Sequence, residues 1–128
     1  MNHTDRYRLE ALMELAHSYP EGRSTAEIAA RREIPPAYLS RLLGELSRTG
    51  WVRSRRGPGG GVSLAHPPDT ISVAAILSPR GPDASLPPAL DRLATDIDRA
   101  IEASTASISV ADLARWERQT VTAHDYSI

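Results

Sequence analysis

Two adjacent prolines divide the middle of the chain. In "STAEIAARREIPPAYLSRLLGELSRTG", Ser24 to Gly50, an apolar helical pattern runs to Ile34, Pro35-Pro36 interrupts it, and a second pattern begins at once. Proline lacks the N–H that a helix interior needs, so one helix cannot run through the pair. At a first helical position, however, its fixed φ and missing donor cost nothing. The stretch is therefore confined to two short helices joined by a tight turn. Ser24 followed three residues later by Glu27 is a capping box and predicts that the first helix starts at Thr25. The second carries a narrow stripe of Leu39, Leu42, Leu43 and Leu46, and Gly50 stands where helices end in a left-handed residue.

Paired short helices of this kind form a helix-turn-helix. On a helical wheel Ala37, Arg41, Gly44 and Arg48 fall opposite the leucines, flanked by Tyr38, Ser40 and Glu45. That outer face is basic and long-armed. Gly44 costs a helix interior about 1 kcal/mol against Ala, which asks either for close approach of a partner or for a tolerant surface position.

Directly afterwards, "WVRS" and "VSLA" have strand character and enclose "RRGPGGG", so residues 51–65 read as a hairpin with a glycine-rich tip. A helix-turn-helix followed by a two-stranded hairpin is a winged helix. Arg53, Arg55 and Arg56 bring cations to the wing, while Gly57, Gly59, Gly60 and Gly61 allow its backbone to turn sharply and lie close to phosphates or inside a groove. The same glycines are not a nucleotide-binding loop, because neither the G-K-[ST] signature nor a helix follows them.

Charge agrees with this placement. Arg supplies all 15 basic residues; residues 23–56 are locally +5, residues 69–128 locally −4 and residues 1–22 locally −2. A basic middle between acidic ends suggests one surface for a polyanion, although an ordinary solvated arginine face has the same count. A length of 128 residues fits one domain, the charged start does not resemble a signal peptide, and no apolar run is long enough to span a membrane, which together predict a soluble cytoplasmic protein. No Ser, His and acid cluster in a turn context, so an enzyme is not expected.

The run Ile34 to Ala65 resembles the recognition helix and wing of the Rrf2 (Rrf-two) family of bacterial winged-helix transcriptional regulators. Its wing signature R-G-P-G-G-G is carried by Arg56 to Gly61, and its Tyr-Leu pair by Tyr38-Leu39. The likeness extends to "YRLEALMELA" before and "ISVAAIL" after, about two thirds of the chain; residues 80–128 match only in helical outline. The resemblance implies a mainly α fold with a small β-hairpin: a winged helix-turn-helix plus a long C-terminal dimerisation helix. It implies double-stranded DNA as partner, with Arg56 and Gly57 entering the minor groove and Ala37, Tyr38, Ser40 and Arg41 facing the major groove. Thr25, Arg48, Arg53, Arg55, Gly59 and Gly60 complete the candidate DNA-binding set. Iron–sulfur members have Tyr-Leu-Glu-Gln where this chain has Tyr38-Leu39-Ser40-Arg41, so an operator sequence does not transfer. An arginine there suits a bidentate contact to guanine, or a phosphate.

Iron–sulfur members of the family hold their cluster with cysteines, and this chain has none. The residues thus predict no iron–sulfur cluster and no cofactor. Glu14 and His17 stand at i, i+3, a spacing open to a mononuclear metal but more common as surface coincidence, and no metal ligands are assigned. His66, before Pro67, reads as a loop residue at the end of the wing. A small-molecule or protein effector would suit such a regulator, and no residue singles one out.

Past the Pro-rich stretch, Leu90, Leu93, Ile97, Ile101 and Ile108 form a seam of heptad type. The resemblance makes Leu90, Leu93, Ile97 and Ile101 the interface of a homodimer. A further helix is expected from Ser109 as N-cap, carrying Leu113 and Trp116. The expected organisation is a winged helix-turn-helix over residues 1–78, a hinge over 79–88, dimerisation helices over 89–119 and a frayed tail over 120–128. The resulting function is a sequence-specific DNA-binding regulator, read as a repressor, that acts as a dimer on a pseudopalindromic operator. The alternative is a winged-helix interaction module or antirepressor that does not read DNA, which would have no need of Arg41, Arg48, Arg53, Arg55 and Arg56 together.

Overall fold

The computed structural model describes residues 1–57, 60–77 and 84–126, with side chains as far as residue 120. Gly59 and residues 79–83 of the hinge lie outside the described residues. Helix α1 spans His3–Ser18, α2 Thr25–Arg32 and α3 Pro36–Arg48. Strands β1, Val52–Arg55, and β2, Gly61–Leu64, pair antiparallel with Val52 opposite Leu64 and Arg55 opposite Gly61. A short 3-10 turn, Pro68–Thr70, leads to α4, Val73–Ile76, and two long helices follow: α5, Pro88–Thr105, and α6, Val110–Tyr126.

The helix boundaries follow from their caps. Ser24 Oγ accepts from Glu27 N–H at 3.1 Å, and its hydroxyl meets Glu27 Oε1 at 3.2 Å, so the carboxylate turns back to the capping side chain itself rather than to the backbone. At the other end of α2, Glu33 takes a left-handed φ of 53° and the Ile34 N–H reaches Ala29 O, which produces the sharp turn before Pro35. Helix α3 ends in a Schellman motif: Trp51 N–H donates to Leu46 O at 2.9 Å, Gly50 N–H to Ser47 O at 3.1 Å, and Gly50 has φ 88°.

Leu39, Leu43 and Leu46 are buried with Leu9, Leu12 and Leu15 of α1, Ile28 of α2, and Val52, Val62 and Leu64 of the hairpin in one core. The hairpin gains a third chain segment that sequence patterning missed. Arg23 exchanges both backbone hydrogen bonds with Val62, at 2.9 and 2.8 Å, and so docks the wing against the entry to α2.

The two C-terminal helices, grouped by their sequence pattern, behave differently. Helix α5 buries none of its residues, whereas α6 returns to the winged helix, where Val110 and Ala114 are buried. Backbone bonds from Val73 N–H to Ile108 O and from Val110 N–H to Ile71 O fasten the α5–α6 junction to α4. Ile108 consequently packs on the core and leaves the proposed seam, because α5 has already ended at Thr105. Ser109 caps α6 as expected: Ser109 and Asp112 exchange hydrogen bonds of 2.9 and 3.1 Å. The Ser109 backbone bond, against some desolvation, holds the Asp112 carboxyl below its usual range. Helix α6 continues to Tyr126, past Thr120 where fraying was expected.

Candidate nucleic-acid interface

The arginines of the basic middle segment part into two groups. Arg23 and Arg32 are turned inward. Arg32 Nε donates to Glu14 Oε1 at 3.0 Å, and its two terminal nitrogens grip Glu117 of α6 at 2.6 and 2.7 Å. Arg23 lies 3.5 Å from Glu14 and 3.7 Å from Glu27, and the more exposed Arg31 lies 3.9 Å from Glu14. His17 Nε2 meets the same Glu117 at 2.7 Å, while its Nδ1 faces Arg118 at 3.1 Å. Glu117 is thereby held far below the usual carboxylate range, at about 2, chiefly by its hydrogen bonds to Arg32, with burial opposing and His17 assisting. Burial alone would lower the Arg32 pKa, but the hydrogen bond and charge of Glu117, with Glu14 and Glu10, turn the shift upward.

Glu14 and His17, open from their spacing to a metal, are thus engaged by different partners. The donor set does not fit a thiolate-held iron–sulfur cluster: the chain has no cysteine. Among the described residues no three His, Asp or Glu side chains converge on a metal position.

The second group points outward. Arg41, Arg48, Arg53, Arg55 and Arg56 are all exposed, and among the described residues no carboxylate pairs with any of them. Ala37 and Ser40 share that exposure. Glu45, the acid flanking this face, is drawn sideways to Arg8 of α1 at 3.1 Å, which offsets its repulsion of a polyanion. Gly44 has open surroundings: an added Cβ would meet only Arg48 at an ordinary 3.6 Å, so nothing within the chain requires glycine there.

Three candidate residues are placed otherwise than a uniform contact face would have them. Tyr38 is half-buried, with its hydroxyl 2.6 Å from Thr4 Oγ1. Thr25 sits half-buried in the first turn of α2. Gly60 serves the wing internally: a Cβ would strike Arg55 O at 2.4 Å, and its N–H donates to Gly57 O at 2.8 Å. Gly57 is exposed at the turn with φ 96°. Sequence reasoning missed Arg23 as a structural pairing residue, because a one-residue bridge leaves no alternation to read. Thr4 and Tyr7, which back Tyr38, lie over 30 residues away in sequence and carry no motif.

The family model described as Rrf2, iron-dependent transcriptional regulator, matches residues 1–116. The chain belongs to the Rrf2 family. Among curated relatives, the transcriptional regulator IscR of Cereibacter sphaeroides is 41% identical over 75 residues, covering 56% of this chain and 48% of that protein. IscR of Aliivibrio salmonicida is 39% identical over 74 residues, covering 57% and 44%. The chain thus spans about half the length of the curated relatives it matches. Solved structures match more completely. CymR, the global cysteine regulator of B. subtilis, superposes with a TM-score of 0.73 at 29% identity over 91% of this chain and 96% of its own. T. potens IscR gives 0.77 at 26% identity over 94% and 89%. The Rrf2 fold is therefore present from α1 into α6, although the description "iron-dependent" finds no thiolates here.

Proposed function

We propose that this Rrf2 member is a sequence-specific DNA-binding transcriptional regulator that works in the cytoplasm as a homodimer and represses from a pseudopalindromic operator, without an iron–sulfur cluster. The observation that carries the reading is that Arg41, Arg48, Arg53, Arg55 and Arg56 on α3 and the wing have no carboxylate partner among the described residues, whereas the other arginines of that segment do. Five exposed guanidinium groups without carboxylates repel one another, and a phosphate backbone relieves that repulsion. The winged-helix arrangement supports α3 in the major groove and Arg56 with Gly57 at the minor groove.

For the dimer, the support lies on α5. Leu90, Leu93, Ile97 and Ile101 are 39–54% exposed, and each is worth roughly 1.5–3 kcal/mol when fully buried. Residues 1–78 would form the DNA-binding unit, the Pro-rich hinge would follow, and α5 would meet its two-fold copy. Because α6 packs on α1 and holds Arg32 of α2 through Glu117, it would tie that dimer arm to the helix-turn-helix.

Fluorescence anisotropy with duplexes from the protein's own upstream region tests the reading. Salt-dependent, sequence-selective binding is expected, with half-sites about 34–36 Å apart. Arg41→Ala should cost on the order of 1–3 kcal/mol at one base position, and Arg56→Ala should flatten the salt slope by about one unit. Ile97→Asp with Ile101→Asp should give a helical monomer of low operator affinity in sedimentation. Absence of any salt-dependent binding would instead favour an interaction module that does not read DNA.

A further inference from the structure

We propose that Thr4 and Tyr38 are positioning residues for base recognition: through a hydroxyl pair between α1 and α3 they hold the Arg41 guanidinium in one pose. This rests on the DNA-reading function proposed above. Arg41 is exposed, and a free arginine side chain samples many rotamers. Here its guanidinium carbon sits 4.8 Å from the centre of the Tyr38 ring, within cation–π reach. None of Arg48, Arg53, Arg55 and Arg56 has such a seat among the described residues.

The seat is itself fixed from two sides. Tyr7 of α1 meets the Tyr38 ring edge-on, with centroids 5.6 Å apart and an interplanar angle of 74°. The Tyr38 hydroxyl lies 2.6 Å from Thr4 Oγ1 in the first turn of α1. Tyr38 therefore faces α1 with its hydroxyl and Arg41 with its ring, so its place in the motif supports a neighbouring side chain.

The distinction has a functional consequence. A phosphate contact tolerates a mobile cation, because charge acts at any orientation. A two-pronged contact to a guanine edge demands a guanidinium plane set to within a few tens of degrees. Disturbing the Thr4–Tyr38–Arg41 stack should erode discrimination between sequences and leave general DNA affinity in place.

The test compares dissociation constants for the footprinted operator and a scrambled duplex, at several salt concentrations, across Thr4→Val, Tyr38→Phe, Tyr38→Leu, Arg41→Ala and the Tyr38→Leu/Arg41→Ala double variant. Thr4→Val and Tyr38→Phe should each lower the selectivity ratio by roughly 3- to 10-fold, with the salt slope unchanged. Tyr38→Leu should approach Arg41→Ala, and the double variant should be no worse than Arg41→Ala alone. Wild-type selectivity that survives both hydroxyl substitutions overturns the inference while leaving the DNA reading intact. A Tyr38→Leu loss that persists undiminished in the Arg41→Ala background also overturns it, since Tyr38 would then act on its own. A wild-type protein that binds operator and scrambled duplex alike sinks the DNA reading, and the inference with it.

Discussion

Helix α2 with its flanks and the outer face of α3 draw on the same residue type for opposite ends. Around α2, arginine is internal hardware: Arg32 joins Glu14 of α1 to Glu117 of α6 across 18 and 85 residues of sequence. On α3 and the wing the arginines are exposed and, among the described residues, have no carboxylate partner. The local charge of +5 over residues 23–56 does not distinguish the two. What separates them is the position of the carboxylates. Glu14 is buried beside α2, and α6 brings Glu117 to the same point, while Glu45, the one acid within α3, is held by Arg8. Net charge of a segment thus states how many cations are present, and the fold decides which of them a partner can reach.

Substitution has its larger effect on stability at the inner group of arginines. Arg32→Ala would leave Glu14 buried without its closest cation and Glu117 without its bidentate partner. A loss of about 3 kcal/mol is expected, the lower end for a buried ion pair because Glu117 is partly exposed. Arg48→Ala and Arg53→Ala, by contrast, should change stability by less than about 0.5 kcal/mol while weakening DNA binding. Urea denaturation of the three variants checks this. Equal stability losses for all three would erase the division.

Acid sharpens the same contrast. The Glu117 carboxyl is depressed to about 2 in the folded protein, below the ordinary 4.5, so between those values the unfolded chain binds more protons than the folded one. Stability from this group is therefore fully present above about pH 5 and is lost as pH falls toward about 2. Allowing for solvent screening of a side chain about one-third exposed, the change should be on the order of 1–2 kcal/mol. Glu117→Gln should flatten the wild-type stability profile across that window. Parallel profiles for the two proteins, measured by chemical denaturation from pH 2 to 6, would remove Glu117 from the clamp.

Much of the outer face was legible in the sequence because its determinants are local. Pro35-Pro36, the Ser24 cap, Gly50 and the leucine stripe fix α2, α3 and the start of the wing within 27 consecutive residues, and the arginines opposite the stripe must then point outward. The inner clamp was not legible, because Glu14, Arg32 and Glu117 meet only after α6 folds back, and no spacing rule links residues so far apart. For the same reason Ile108 was assigned to the α5 seam: its spacing continued the heptad, but the chain turns after Thr105 to meet α4. Tyr38 belongs between the two cases. Its position on α3 could be read, while its hydroxyl bond to Thr4 depended on tertiary packing.

A small gain in stability separates folding from function most cleanly. Gly44 lies in the interior of α3, where glycine costs about 0.5–1 kcal/mol relative to alanine through extra backbone freedom in the unfolded chain. A methyl group at that site meets only the end of the flexible Arg48 side chain at 3.6 Å, so the protein itself has room for it. Gly44→Ala should therefore raise stability by about 0.5–1 kcal/mol in urea denaturation. On a face that lies against DNA the same methyl would hold bases or phosphates away from α3, and operator affinity should fall roughly 5- to 50-fold, on the order of 1–2 kcal/mol. Opposite signs in the two measurements would show that α3 presents its glycine to a close-fitting partner. A variant that is more stable and binds its operator as tightly as the wild type would mean that Gly44 marks a tolerant surface, and that the groove contact is made by the arginines at longer reach.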